Sequence, residues 1–328
     1  MSTVFKKKIN YWKRIFEAYI LRKNSHLNFW HEKPMVNTDA FKNDPDQYYM
    51  TFFDKTQYQG LFDENGIPLL DYQGTIGKQY NPIAIAQYGL GHFNIYKKNG
   101  TKKNLIIAFK QADWLVAHLE TNTYGVGVWM HHFDWEYRTL LKAPWYSALA
   151  QGNGISLLVR IYKETKQEKY FHAAQEAFKS LEIPIEKGGV LYIDKRGNKW
   201  LEETIVDPPT HILNGFLWTL FGIWDYYLLT KDEKVRELFN AYVNTLKNNL
   251  HTFDIGFWSL YEHSGLRMKM IASRFYHALH IVQLEILYTL TNEPTFNIYC
   301  KKWEKYSKNI FCIMTSQLYK ACFKLIHY

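Results

Sequence analysis

Residues 212–229 read ILNGFLWTLFGIWDYYLL, and residues 231–247 read KDEKVRELFNAYVNTLK. The first run is the most apolar in the chain. Gly215, Gly222 and Asp225 interrupt it, which suits a buried helix better than a membrane span. The second run is also helical in pattern but carries far more charge, as a helix on the water side of the first would. The same pairing recurs outward in both directions. Helices are expected near 82–96 and 102–119, 144–164 and 167–181, 209–230 and 232–249, and 270–290 and 295–311, with a tail helix beyond. Alternate members are the more apolar, and partners such as Gln111–Glu120 and Gln167–Lys179 are more charged. That alternation predicts inner and outer helices of a curved α/α array. Two turn-rich excursions, 186–207 and 251–268, would then gather at one cleft. The first carries Gly188-Gly189 and Arg196-Gly197-Asn198 and is expected to form a β-hairpin.

Residues 1–80 read as an N-terminal extension and 81–328 as the helical domain. An amphipathic helix is expected over 9–24, with Ile9, Trp12, Ile15, Phe16, Tyr19 and Ile20 near one face. Tyr49–Phe53 reads as a strand. Ile67–Leu70 is a weaker strand, with Pro68 restricting it to an edge or a strand start. Asn65-Gly66 and Gln73-Gly74 mark turns.

Of the 328 residues, 47% are hydrophobic and 17% aromatic, enough for a sizeable core and for ring faces that stack on sugars. The formal net charge is +9, concentrated at Lys6-Lys7-Lys8 and at Lys301, Lys302, Lys305 and Lys308. Such charge attracts an anionic polymer or an acidic membrane surface. No finger spacing or other nucleic-acid motif accompanies it, so no nucleic-acid partner is expected. Cys300, Cys312 and Cys322 form no CxxC pair and suit a reducing compartment, hence the cytoplasm, with peripheral contact at a membrane allowed. The lysine-rich start lacks an uninterrupted apolar core of the signal-peptide kind. Walker, HExxH, EF-hand and Rossmann patterns are absent, and neither cofactor nor metal is expected.

Chemistry-bearing residues cluster late. Tyr261 sits in GFWSLYEH (256–263), and ASRFYHALH (272–280) holds Arg274, Tyr276, His277 and His280. Arg274 offers a bidentate clamp for a carboxylate. Upstream, Glu202 and Glu203 are adjacent in extended chain and must point to opposite sides, so one of them faces the site. His277 and His280, one turn apart, serve equally as ligand contacts or as interhelical structural groups. His131-His132 with Asp134 forms a second group that could hold a metal.

With these residues assembled, the chain resembles the C-terminal catalytic domain of the D-glucuronyl C5-epimerase family. The segments similar to it are PIAIAQYGLGH (82–92), WYSALAQGNGIS (145–156), Glu202-Glu203 through LNGF (213–216), Tyr261, and RFYH (274–277) with His280, in the family's order. The resemblance implies an incomplete α/α toroid and epimerisation at C5 of glucuronyl residues in a polymer. It implies catalytic roles for Glu203, Tyr261 and Tyr276. Substrate contacts are expected from Arg274, Arg267, Tyr88, Gln87, Gln151, Asn153, Asn214, His277 and His280. Two departures stand out. Thr204 replaces a family tyrosine, and Ser264 lies where the family has an arginine, for which Arg267 or Arg274 would substitute.

The leading expectation is a cofactor-independent epimerase acting on a glucuronate-containing anionic polysaccharide, with a homodimer compatible. A uronate lyase begins with the same proton abstraction, and a non-catalytic glycan-binding protein of the same fold would keep the aromatic cleft without turnover.

Overall fold

The computed structural model describes residues 27–41 and 43–327. The helix expected over 9–24 lies outside them. Four inner helices form the frame: α1 (Pro82–Asn99), α3 (Ala148–Thr165), α5 (Leu213–Thr230) and α7 (Arg274–Thr291), each of 18 residues. Each is followed by an outer helix: α2 (Lys102–Ala117), α4 (Glu168–Glu182), α6 (Glu233–Asn249) and α8 (Pro294–Lys308). A last helix, α9, spans Ile310–His327.

The inner helices share a stop. Gly100, Lys166, Lys231 and Asn292 each adopt the left-handed conformation directly after them, and each returns its N–H to a carbonyl of the last turn. This C-cap satisfies a terminal carbonyl and turns the chain at once into the outer helix. Three of the starts are capped by side chains. Asn81 accepts from the Ile83 and Ala84 amides, Ser147 from Ala150, and Ser273 from Tyr276. The repeat is therefore one of geometry, an 18-residue inner helix with an abrupt left-handed stop, and it leaves little sequence identity behind.

Packing runs α1–α3–α5–α7 around the ring, most closely between α3 and α5. A Cβ on Gly152 of α3 would lie 2.6 Å from Thr219 Cα of α5, so only glycine permits this approach. Among the described elements no comparable packing joins α7 back to α1. The segment 27–32 bridges that interval. Phe29 is buried with Ala84 and Tyr88 of α1, while the His31 ring lies 5.1 Å from Phe275 of α7.

Residues 27–80 share the main core with the helices. Tyr48 stacks on Trp218 of α5, and Tyr49 donates to Asp225 at 2.7 Å. Asp225 also accepts two hydrogen bonds from the fully buried Arg160 of α3, at 2.6 and 3.0 Å. The strand expected over Tyr49–Phe53 reduces to one bridge, Val36 with Met50. Phe52 then turns left-handed and Phe53–Thr56 forms a helical turn. The Phe52 ring, packed against Tyr48 and Trp218, outweighs β-propensity there.

Sheets are small and antiparallel. β1 (Leu61–Phe62), β2 (Pro68–Asp71) and β3 (Lys78–Tyr80) pair in that order, with Pro68 at the strand start. The stretch after α2 forms short paired strands: β4 (Glu120–Thr121) with β5 (Gly127–Val128), β6 (Met130–His131) with β9 (Trp145–Tyr146), and β7 (Trp135–Glu136) with β8 (Leu140–Leu141). The hairpin expected in 186–207 is β10 (Leu191–Ile193) with β11 (Lys199–Leu201). Helix pairs around an open ring, with hairpins at one end, make an incomplete α/α toroid.

Candidate active site

The N-terminal ends of the four inner helices face one cavity of about 250 Å³. α1 presents Ile83 and Gln87, α3 Leu149, α5 Asn214, and α7 Phe275, Tyr276 and Leu279. The excursions close its sides. Glu203 and Thr204 follow β11, Tyr261 comes from the stretch before α7, and Phe133, Trp135, Tyr137 and Trp145 come from the strands after α2. Trp30, His31, Glu32 and Lys55 complete the wall from the N-terminal side. Both excursions expected at one cleft are there.

The two glutamates diverge, as extended chain requires. Glu202 turns away from the cavity and accepts from the His211 amide at 3.1 Å and from its ring Nδ1. Glu203 turns in. Asn214 donates to its Oε2 at 3.3 Å. A Cβ on Gly215 would overlap that same oxygen, so glycine in the first turn of α5 makes the room the carboxylate occupies. Removal from water, with the charge of Glu202 adding to it, pushes the Glu203 carboxyl up to about 8.

Tyr261 and Tyr276 meet edge to face, ring centroids 4.8 Å apart. Tyr261 is held by backbone bonds on both sides, its amide to Met270 and its carbonyl to Leu213. Tyr276 sits in the first turn of α7, fixed by the Ser273 cap. Glu203, Tyr261 and Tyr276, the three residues expected to be catalytic, thus line one cavity. Gln87 and Asn214 line it too.

The other expected contacts lie elsewhere. Arg274 is exposed. It and Tyr276 are both inside α7, so a two-residue step points them to opposite sides, and the clamp assigned to Arg274 is not formed. Arg267 is exposed in a loop. Tyr88 packs against Phe62 and the His92 ring, in a second small core. Gln151 is spent on the backbone of Trp129, accepting from its N–H at 3.1 Å and donating to its carbonyl at 3.2 Å. Asn153 bonds to the Tyr48 hydroxyl and to the Leu149 carbonyl. His277 and His280 converge on the Ser259 hydroxyl at 2.7 and 3.0 Å, and His277 stacks on Trp258. These four are structural polar groups buried within the helical frame.

His131, His132 and Asp134 separate instead of forming a metal group. His132 pairs with Glu120 at 2.5 Å on the surface, and Asp134 with Lys142 at 2.7 Å. His131 turns inward, stacked on Trp145 at 4.0 Å. Among the described residues no cluster of three or more such side chains is arranged for a metal ion.

Two groups lining this cavity, and a third behind its wall, were not legible in the sequence. Lys55 is the one lysine or arginine among the described lining residues. It donates to the Phe29 carbonyl at 2.7 Å and faces Glu32 at 3.5 Å. One of its three N–H donors is left without a protein acceptor among the described residues. His131 is fully buried, and neither ring nitrogen has a hydrogen-bond partner among the described residues. Burial holds its pKa down to about 3, so it is neutral. Arg138 reaches from the loop between β7 and β8 to Glu262, and to Ser264 at 3.2 Å. A guanidinium therefore stands at Ser264 after all, supplied from a distant part of the chain.

The comparisons with known proteins agree with this frame. Residues 122–305 match the model of the family described as D-glucuronyl C5-epimerase C-terminus. A D-glucuronyl C5-epimerase of Caenorhabditis elegans is 31% identical over 214 residues, which cover 61% of this chain and 34% of that protein. The chain thus spans about a third of the length of that relative. An uncharacterized protein of Methanocaldococcus jannaschii is 30% identical over 255 residues, 71% of this chain and 81% of its own. In structure, a family 76 glycoside hydrolase from a bovine Bacteroides thetaiotaomicron strain aligns with a TM-score of 0.51 at 15% identity, over 74% of this chain and 50% of that one. That likeness concerns the fold alone. With more than half its length matched, and the motifs in order around one cavity, the chain belongs to the D-glucuronyl C5-epimerase C-terminus family.

Proposed function

We propose that this protein epimerises C5 of glucuronyl residues in an anionic polysaccharide. The observation that carries the reading is the meeting of Glu203, Tyr261 and Tyr276 in one aromatic-walled cavity, with the Glu203 carboxyl raised to about 8. Membership in the family and similarity to the worm epimerase support it.

C5 lies next to the C6 carboxylate. A base removes the C5 proton, and the electron pair moves into the carboxylate to give an enolate-like intermediate. An acid on the other face returns a proton to C5, with no change in oxidation state. Glu203 is assigned as one proton-transfer group and Tyr276 as the opposed one, with Tyr261 donating a hydrogen bond. A carboxyl near 8 is matched to this task, because general acids and bases work best with a pKa near the working pH.

The negative charge that builds on the substrate is met by two features. The amino-terminal ends of four helices face the cavity, each with the positive end of its dipole toward it. Lys55, facing Glu32 and with its amine pKa lowered by burial, is the lining cation assigned the role first given to Arg274, holding the uronate carboxylate. Trp and Tyr rings cover the apolar faces of the sugar.

The test is incubation with heparosan in deuterated water. Deuterium at C5 without chain shortening is the expected result. Unsaturated, ultraviolet-absorbing ends would identify a lyase. Binding with neither label nor cleavage, on heparosan and on other glucuronate polymers, would identify a glycan-binding protein.

A further inference from the structure

Among the described residues, the helix α9 leaves one face uncovered. It rests on the body through Ser316 and Phe323, which are buried, and its Lys320 amine donates to the Ile271 carbonyl at 3.1 Å. Facing outward are Ile310, Phe311, Met314, Leu318, Leu325 and Ile326, exposed by 53% to 76%. At 3.6 residues per turn these six fall within an arc of about 160°. Thr315, Ala321 and Cys322 fill the rest of that arc, so it carries no charge. Single apolar side chains on a surface need no explanation, whereas a contiguous stripe along a whole helix does.

Charge decides what covers it. From residue 305 to residue 328 the chain holds Lys305, Lys308, Lys320 and Lys324 and no aspartate or glutamate. Lys305 and Lys308 are exposed, stand just before the apolar arc, and make no ion pair among the described residues. A second copy docked through α9 brings no carboxylate from this segment to offset these lysines. Anionic lipid headgroups supply that countercharge, and their acyl chains supply the apolar phase. No helix among the described residues is long and apolar enough to cross a membrane. A helix with one apolar face and a cationic margin lies in the plane of the interface instead. We propose that α9 seats this protein on an anionic lipid surface, with its apolar stripe in the headgroup–acyl boundary and Lys305 and Lys308 on the headgroups. This stands independently of the epimerase reading.

The experiment is co-sedimentation of the full chain with vesicles of phosphatidylcholine containing about a third phosphatidylglycerol, and with pure phosphatidylcholine vesicles. Binding to the anionic vesicles is expected, weaker by about tenfold or more on the neutral ones and at high salt. Phe311→Gln, Leu318→Gln and Leu325→Gln combined should lower the partition coefficient by about a hundredfold. Their circular dichroism and melting temperature serve as the folding control. Lys305→Glu with Lys308→Glu leaves the apolar stripe intact and should abolish the preference for anionic vesicles. The proposal is overturned if the wild-type protein stays in the supernatant with anionic vesicles. It is equally overturned if the triple variant binds as the wild type does. A wild-type dimer that becomes monomeric in the triple variant, with no vesicle binding by either, would assign the stripe to a second copy.

Discussion

At the scale of single residues, Glu203 carries the sharpest predictions. Its carboxyl is raised from 4.5 to about 8 in the folded protein, so folding favours its protonated form. As pH climbs from about 5 to 8 the unfolded chain ionises first, and this residue costs the protein stability. Glu203→Gln should therefore melt higher than the wild type at pH 9 and close to it at pH 5, in thermal scans. The same substitution should lower C5 exchange by about 10²- to 10⁴-fold, and the wild-type kcat/KM profile should show a limb with its midpoint near 8. Gly215→Ala tests the cradle. Its methyl group would overlap the carboxylate oxygen and lie 2.8 Å from Glu203 Cβ, so exchange should fall by about a hundredfold and the melting temperature should drop as the chain carrying Glu203 shifts. His131→Phe keeps the stack on Trp145 and removes two unpaired buried nitrogens. Stability should rise or hold in thermal scans. Glu203, Tyr261 and Tyr276 could be read from the sequence because each sits in a short motif, in family order. Lys55 and His131 could not, since their neighbours at the cavity come from other segments. Arg274 was misplaced for the converse reason, that proximity in sequence within a helix turns side chains apart.

At the scale of elements, the α3–α5 contact is the structural hinge of the site, because α5 carries Asn214 and Gly215 under Glu203. Arg160 and Asp225 lock it from the far side, and both are fully buried. Asp225→Ala would leave the guanidinium buried and unpaired, at a cost of about 3–5 kcal/mol, seen as a lower urea midpoint. Replacing both residues by apolar ones, Arg160→Met with Asp225→Leu, should recover much of that loss, because the desolvation of the ion pair goes as well. The helices themselves were legible from alternating apolarity, to within a few residues at most ends. The longest errors fell equally at the starts of α3, α5 and α7; at α3, Trp145 and Tyr146 belong to a strand and Ser147 caps the helix. The short strands between 120 and 146 left no trace in the sequence, since two-residue strands are too brief to show a period of two.

At the scale of the whole molecule, the four inner helices of equal length meet at one end because each stops on a left-handed residue and each outer helix returns. That much follows from the pattern of pairs. Closure of the ring does not, since it depends on a contact between the first described residues and the last inner helix. Phe29→Ala, at a residue 1% exposed, should cost about 3–5 kcal/mol and should loosen the cavity wall formed by Trp30, His31 and Glu32. The bridging segment also imposes an order in time. Residues 27–32 leave the ribosome well before Tyr276 of α7, which His31 must meet. At ordinary rates of synthesis the wait is on the order of tens of seconds. Throughout it the amino-terminal segment has only half of its binding groove. Nascent chains arrested before α7 should be cut by a glutamate-specific endoproteinase at Glu32, and released chains should resist it. Vectorial synthesis thus delays completion of the cavity wall until α7 has been made.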